Sequence, residues 1–239
     1  DKHDLGRKTF EQIDQIAGRS LSKLCFEGPE EELKRTINTQ PTVLAVSLAA
    51  WQCYRAAGGP KPAYIAGHSL GEFSALVAAE ALSLEAAVTL VDKRARLMEE
   101  CPRGAMTAVI GMSPTDLEAL CKQISEEQAA AGQPSVVIVA NFNTLEQLVI
   151  SGSPEAVTAA GAKAKTSGAK VIPLPVGGAF HSPLMAEAAR EFEGELKNWT
   201  LTDAAFAVVQ NVDAQPATSA AELKSKLARQ MPSAVRWAN

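Results

Sequence analysis

The chain has 239 residues, of which 46% are hydrophobic and 21% are charged, and its formal net charge is −4. This composition is typical of a soluble globular protein with one large domain or one and a half. The acidic balance disfavours nucleic acid or an anionic membrane as the main partner. The longest apolar stretches are interrupted by Glu, Lys or Gln, so we expect no membrane span.

Helices are predicted for the first part of the chain. Apolar residues recur at near-helical spacing over 1–24, a short acidic helix opens at Pro29, and the run 38–41, ending in Pro41, breaks it. A helix that is apolar nearly all round, and therefore buried, is expected from Pro41 to Ala56. The first residues contain neither an initiator methionine nor a signal peptide, so we expect a trimmed protein or a fragment.

The segment 62–76 predicts a short apolar strand, a tight turn and a helix of small residues. Its GHSLG run at 67–71 fits the G-x-S-x-G nucleophile elbow, which would expose the hydroxyl of Ser69 at the end of the strand. Gly67 and Gly71 are expected where a Cβ would clash in the strained turn. The amide of Leu70, at the start of the helix, would stabilise a developing oxyanion. The alternative is an ordinary strand-to-helix turn.

Arg94 is the first candidate for a binding residue. It lies in the helix predicted over Leu84 to Glu100, and at 100° per residue it falls within the apolar stripe. A buried arginine is costly unless it meets an anion. That anion is either a structural carboxylate of the protein or a carboxylate substrate held by two bonds, and the pattern alone leaves both open.

The segment 104–175 has a different pattern, in which strands and helices follow the order βαββαβ. Strands are predicted at 105–110, 136–140, 147–151 and 170–174, with a helix after the first and another after the third. This order is typical of a ferredoxin-like unit. We therefore predict that it is a small inserted domain, flanked by a larger domain made of residues 1–103 and 176–239.

His181 is the best candidate for a base acting on Ser69. It follows a glycine-rich loop and precedes a predicted helix that opens at Pro183, a position that can present a side chain into a cleft. His3 lies at the chain end, and the His68 side chain is expected to point away from its neighbour Ser69. A surface or capping role for His181 is the alternative.

The four cysteines, Cys25, Cys53, Cys101 and Cys121, show no C-x-x-C spacing. We expect reduced thiols and a reducing compartment, which is the cytoplasm or, after removal of a transit peptide, a plastid or mitochondrion. No Cys/His cluster offers a metal site.

Taken together, the motifs resemble the malonyl-CoA:acyl carrier protein transacylases of fatty acid synthesis and the related acyltransferase domains of polyketide synthases. The resemblance covers essentially the whole chain, in the family's order and spacing. It rests on GHSLGEFSAL at 67–76, Arg94 placed 25 residues after Ser69, ANFN at 140–143, VISG at 149–152, AFHS at 179–182, NVD at 211–213 and VRW at 235–237.

The resemblance implies an α/β fold in which an α/β-hydrolase-like domain is interrupted by the ferredoxin-like domain. It implies that Ser69 carries a malonyl ester and that His181 acts as base and then as acid. It also implies that the backbone carbonyl of Gln230 orients His181, and that Arg94 binds the free malonyl carboxylate. Malonyl-CoA and the phosphopantetheine thiol of acyl carrier protein would be the substrates of a monomeric enzyme without cofactor or metal.

Two family features are not in this sequence: an N-terminal strand with a G-Q-G-S-Q motif, whose Gln supplies a second oxyanion donor, and a C-terminal strand with a G-P-G turn. We therefore expect these 239 residues alone to be weakly active or inactive. The competing hypotheses are an acyltransferase domain of a polyketide synthase, a serine esterase or thioesterase on the same elbow, and a degenerate, non-catalytic binding domain.

Overall fold

The computed structural model describes residues 2–132 and 135–239 of an α/β protein. The described helices are α1 Lys2–Ala17, α2 Leu21–Glu27, α3 Glu30–Lys34, α4 Thr36–Ala56, α5 Gly71–Ala78, α6 Leu84–Glu99, α7 Pro114–Ala130, α8 Pro154–Thr166, α9 Ala186–Lys197 and α10 Ala220–Gln230. The strands are β1 Tyr64–Ala66, β2 Ala105–Ile110, β3 Val137–Phe142, β4 Gln147–Gly152, β5 Lys170–Pro173, β6 Ala207–Val209 and β7 Pro216–Ala217.

The chain divides into two units, each built from several segments. The first unit contains the residues up to Glu99, with Glu191–Gln210 and Gln215–Ala228. The second contains Glu100–Arg190, Asn211–Ala214 and Arg229–Asn239.

The first unit places helices beside a small three-stranded sheet. Its strand order is β1-β6-β7, with β1 parallel to β6 and β6 antiparallel to β7. The core contains Phe73 of α5 and Phe192 of α9, which are almost fully buried and meet edge to face with ring centroids 6.0 Å apart. This packing fixes α5, the helix that follows the predicted elbow.

Helix α4 begins earlier than the sequence predicted, at Thr36, and Pro41 lies inside it. A proline has no N–H for the carbonyl four residues before it, here that of Ile37. The Ile37 carbonyl instead accepts a 2.9 Å hydrogen bond from Arg19 Nη2. The side chain of Arg19, which lies between α1 and α2, thus satisfies the carbonyl that the proline leaves without its helical donor, and the helix continues through Pro41 instead of breaking there.

The second unit is organised on a four-stranded sheet with the order β3-β4-β2-β5, in which all neighbouring strands are antiparallel. Helices α7 and α8 pack on this sheet around a cluster of buried apolar residues that includes Leu117, Ile124, Leu148 and Ile150. Near the end of the chain, Val235 pairs with β3, donating to the Ala140 carbonyl at 2.8 Å.

The sequence predicted most of these elements. Strand 105–110 has the predicted limits, and the other strands of segment 104–175 agree to within two residues. The two-residue strand β7 was missed, because nothing in Pro216–Ala217 distinguishes it from a loop. Within the described ranges, none of the helices combines the length and apolar character needed to cross a membrane.

Candidate active site

Ser69 lies in a tight turn between β1 and α5. Its φ is +51°, in the left-handed region that a residue with a Cβ rarely adopts. The turn is closed by the Gly71 amide, which donates to the His68 carbonyl at 2.9 Å, and by the Glu72 amide, which donates to the Ser69 carbonyl at 3.2 Å. Strained backbone of this kind is typical of functional positions.

The two glycines of the turn have different roles. A Cβ on Gly67 would overlap the carbonyl carbon and oxygen of Gly71, so only glycine fits there. A Cβ on Gly71 would meet nothing within 4 Å. The prediction of a clash is therefore confirmed for Gly67 and wrong for Gly71, because Gly71 is the residue that the turn brings close and its own Cβ position faces open space.

Leu70 is the residue before the first turn of α5, with helical backbone angles of −53° and −37°. Backbone N–H groups at a helix N-terminus have no acceptor within the helix, and the helix dipole is positive there. The amide that follows Ser69 is thus in the environment that stabilises a developing negative charge on oxygen.

Arg94 lies beside Ser69. Its side chain is 1% exposed, and its Nη2 donates a 2.9 Å hydrogen bond to Ser69 Oγ. Its Nη1 donates to Gln40 Oε1, and its guanidinium lies 5.9 Å from the centroid of the Phe73 ring. Burial lowers the pKa of Arg94 to about 10, and the negative charge of Glu72 opposes that change. The cation is therefore held, charged at neutral pH, against the candidate nucleophile.

Gln40 was missed by the sequence analysis, which assigned residues 38–41 to a helix break. In the structure Gln40 is part of α4 and 6% exposed. A buried amide needs a hydrogen-bonding partner, but Asn38 and Thr42 of the same helix are buried polar residues as well, so nothing in the sequence distinguished Gln40 from them.

His181 is 3% exposed and has a φ of +57°, so it is a second non-glycine residue in the left-handed region. Its Nδ1 lies 3.2 Å from the Gln230 carbonyl oxygen and 3.0 Å from the Ser233 carbonyl oxygen. Carbonyl oxygens only accept, so Nδ1 carries the proton in neutral imidazole and Nε2 carries the basic lone pair. Ser233 is the nearer of the two acceptors and was not predicted.

The loop that carries His181 is fixed by its neighbour Ser182, which is fully buried. The Ser182 hydroxyl donates to the Ala179 carbonyl at 2.6 Å and accepts from the Leu184 amide at 3.3 Å. These bonds span the turn at His181 from both sides, which supports its strained backbone.

The candidate residues fall into two groups. Ser69, Leu70 and Arg94 belong to the first unit, where the structure joins Ser69 to Arg94. His181 and Gln230 belong to the second unit, where the structure joins them through Nδ1. In the described part of the chain, no three His, Cys, Asp or Glu side chains are grouped so that they could hold a metal ion.

The chain is similar to known proteins over nearly its whole length. Residues 6–239 match the family model described as acyl transferase domain. A malonyl CoA-acyl carrier protein transacylase of Salmonella typhimurium is 41% identical over 234 residues, which are 96% of this chain and 74% of the relative. The protein of the same name from Bacillus subtilis is 43% identical over 235 residues, with 97% and 72% covered.

Solved structures agree with these relatives. The malonyl CoA-acyl carrier protein transacylase of Coxiella burnetii superposes with a TM-score of 0.92 at 38% identity, covering 98% of this chain and 73% of that one. A malonyl-transacylase solved with a type II polyketide synthase acyl-carrier protein gives 0.91 at 38% identity, with 98% and 75% covered. The chain therefore belongs to the acyl transferase domain family.

Proposed function

We propose that the protein transfers a malonyl group from malonyl-CoA to the phosphopantetheine thiol of an acyl carrier protein, as an [acyl-carrier-protein] S-malonyltransferase of fatty acid synthesis. The observation that carries this proposal is the 2.9 Å hydrogen bond from Arg94 to Ser69 Oγ inside a buried site. A cation beside the nucleophile suits an acyl group that ends in a carboxylate. The names of the relatives and solved structures describe the same reaction.

The proposed chemistry has two steps that share one mechanism. His181 Nε2 takes the proton of Ser69, whose Oγ attacks the thioester carbonyl of malonyl-CoA while the Leu70 amide stabilises the oxyanion. The C–S bond breaks, which leaves the malonyl group on Ser69, and His181 gives its proton to the departing thiolate, so that CoA leaves as the thiol. The thiol of acyl carrier protein then attacks the seryl ester with the same proton transfers, which releases malonyl carrier protein and regenerates Ser69.

Two carbonyls, those of Gln230 and Ser233, replace the carboxylate that orients histidine in many serine enzymes. Both fix the tautomer that leaves Nε2 basic, and both dipoles stabilise the imidazolium formed when Ser69 is deprotonated. We propose that this pair of carbonyls positions His181.

Arg94 is proposed to recognise the malonyl carboxylate. A guanidinium offers five N–H donors in a planar fork and can hold a carboxylate with two parallel bonds. Because Arg94 is buried, such bonds are worth more than they would be in water. Acetyl groups lack the carboxylate and gain nothing from them.

We also propose the finer architecture that the sequence predicted. The β-α-β-β-α-β order and the all-antiparallel sheet order β3-β4-β2-β5 support a ferredoxin-like domain over residues 104–175. The parallel strands β1 and β6, with Ser69 in the turn after β1, support an α/β-hydrolase-like domain in residues 1–103 and 176–239. The reaction we propose needs no cofactor, and the four cysteines, all reduced thiols, support a reducing compartment.

The test of the proposed function measures the release of CoA from malonyl-CoA over time, with and without the phosphopantetheine form of acyl carrier protein. A malonyltransferase releases CoA in a burst stoichiometric with the protein and turns over only when the carrier is added. Continuous release without carrier, accompanied by free malonate, would instead identify a serine hydrolase. Absence of any release would contradict both and favour a binding domain.

A further inference from the structure

Buried charge is rare in this protein. Among the Asp, Glu, Lys and Arg side chains whose burial the structure describes, only Glu72, Arg94 and Lys226 are buried. Lys226 pairs at 2.7 Å with Glu222, which is half exposed. Glu72, at 0% exposure, is thus the buried carboxylate of the described residues, and Arg94, at 1%, is the buried arginine.

Glu72 is tied to the nucleophile turn through its backbone. It lies in the first turn of α5, and its amide donates to the Ser69 carbonyl at 3.2 Å. The backbone of Glu72 is therefore part of the turn that holds Ser69. The next residue, Phe73, presents its ring to the Arg94 guanidinium, so α5 contributes adjacent residues to the surroundings of the same cation.

The carboxylate of Glu72 is held by a second buried side chain. Gln210, which follows β6 and is 1% exposed, donates from Nε2 to Glu72 Oε1 at 3.1 Å. An ionised carboxylate needs such donors when it is removed from water. Glu72 entered the sequence analysis only as part of the GHSLGEFSAL motif, and neither residue has a step in the proposed reaction.

The charge of Glu72 acts on Arg94. A guanidinium taken out of water is strongly disfavoured unless an anion compensates it. Burial lowers the pKa of Arg94, and the Glu72 carboxylate raises it again. The pair therefore has a reason to be buried together that does not depend on the substrate.

We propose that Glu72 is a positioning residue for Arg94, a buried counter-charge that holds the guanidinium in its charged form beside Ser69 and thereby sets the preference for a carboxylate-bearing acyl group. The proposal rests on the malonyl transfer proposed above. The Glu72 carboxylate accepts from Gln210, and in this proposal it acts through Arg94 and not on the acyl donor itself.

A purely structural role for Glu72 has a different consequence. A first-turn glutamate also stabilises its helix through the dipole, and losing that contribution would impair the turn for every acyl donor alike. Loss of a counter-charge for Arg94 affects donors with a terminal carboxylate and leaves donors without one nearly unchanged. The ratio between malonyl and acetyl transfer therefore separates the two roles.

The experiment compares the wild-type protein with Glu72→Gln, which keeps the shape and removes the charge. The rates of acyl-ester formation on Ser69 are measured by rapid quench and intact mass, with malonyl-CoA and with acetyl-CoA. At metal sites, the outer partners of the ligands typically contribute about 10- to 100-fold to affinity or activity, and we use the same range here. We expect a malonyl loss of that size, with the acetyl rate changed by less than about threefold. Glu85→Gln, which removes an exposed first-turn glutamate from the next helix, should change neither rate.

Equal losses with both donors, or an unchanged ratio, would overturn the positioning role. If the wild-type protein forms no malonyl ester, the proposed function itself fails, and the two failures are distinguishable. Should Glu72→Gln not fold, Gln210→Met removes the donor to Glu72 and keeps both charges. Gln210→Met should also lower the ratio of malonyl to acetyl transfer, by a smaller factor than Glu72→Gln. An unchanged ratio in Gln210→Met would equally refute the proposal.

Discussion

Replacing Arg94 by methionine tests the proposed carboxylate clamp. Methionine fills much of the buried space and removes the charge. A hydrogen bond to a charged group contributes about 1.5 to 3 kcal/mol, so two bonds to a malonyl carboxylate contribute about 3 to 6 kcal/mol. At 1.4 kcal/mol for each factor of ten, malonyl transfer should fall by roughly a hundredfold or more.

The existing contact with the nucleophile sets the expectation for acetyl-CoA. Arg94 also donates to Ser69 Oγ at 2.9 Å, and this bond is lost whichever donor is used. One such bond contributes about 1.5 to 3 kcal/mol, so acetyl transfer can fall by about ten- to a hundredfold. Malonyl transfer loses this bond as well, so it cancels in the ratio, and the selectivity for malonyl over acetyl should fall by the two clamp bonds alone, roughly a hundredfold or more.

The assay measures kcat/KM for malonyl-CoA and for acetyl-CoA, with the phosphopantetheine form of acyl carrier protein as acceptor. The matched control is Arg96→Met on the same helix, because Arg96 is exposed and pairs with Asp92 at 2.9 Å. It should leave both values unchanged. An equal loss with the two donors in Arg94→Met, or retained selectivity, would refute the clamp.

Three further predictions concern the turn and the thiols. Gly67→Ala should lower the free energy of unfolding by about 4 kcal/mol or more, because its Cβ overlaps Gly71. Gly71→Ala should change the free energy of unfolding, measured in urea, by no more than about 1 kcal/mol. Similar urea midpoints for the two variants would contradict this. Ser69→Gly should be about 1 kcal/mol more stable than Ser69→Ala, since its φ of +51° strains any residue with a Cβ, and equal stabilities would argue against strain. Burial raises the pKa of Cys121 to about 12, so at pH 8 only about one part in ten thousand of this thiol is thiolate. Iodoacetamide should therefore label Cys121 only after unfolding, and rapid labelling of Cys121 in the native protein would contradict its burial.

Local patterns in the sequence were sufficient for the nucleophile turn. The strand, the turn and the helix around Ser69 are neighbours in the chain, so the motif contains its own structural context. The helical period also predicted that Arg94 is buried, as it is. Both predictions depend on residues within one or two turns of each other.

The partners of these residues could not be predicted from local patterns. Gln40, which binds Arg94, is 54 residues away from it in the chain. Its helix contains Pro41, and the carbonyl that the proline leaves without a helical donor is satisfied by Arg19, which is also distant in sequence. The acceptors for His181 are backbone carbonyls, which every residue has. Nothing in the sequence around Ser233 therefore indicates its contact with His181, and the contact of Gln230 was predicted only from the family resemblance.

The most direct test of the account is the intact mass of the protein after incubation with malonyl-CoA, beside a Ser69→Ala control. The proposed reaction predicts a malonyl adduct that requires Ser69 and disappears when the phosphopantetheine form of acyl carrier protein is added, with the malonyl group recovered on the carrier. An adduct that persists in Ser69→Ala, or a wild-type protein that hydrolyses malonyl-CoA without transferring the group to the carrier, would contradict it.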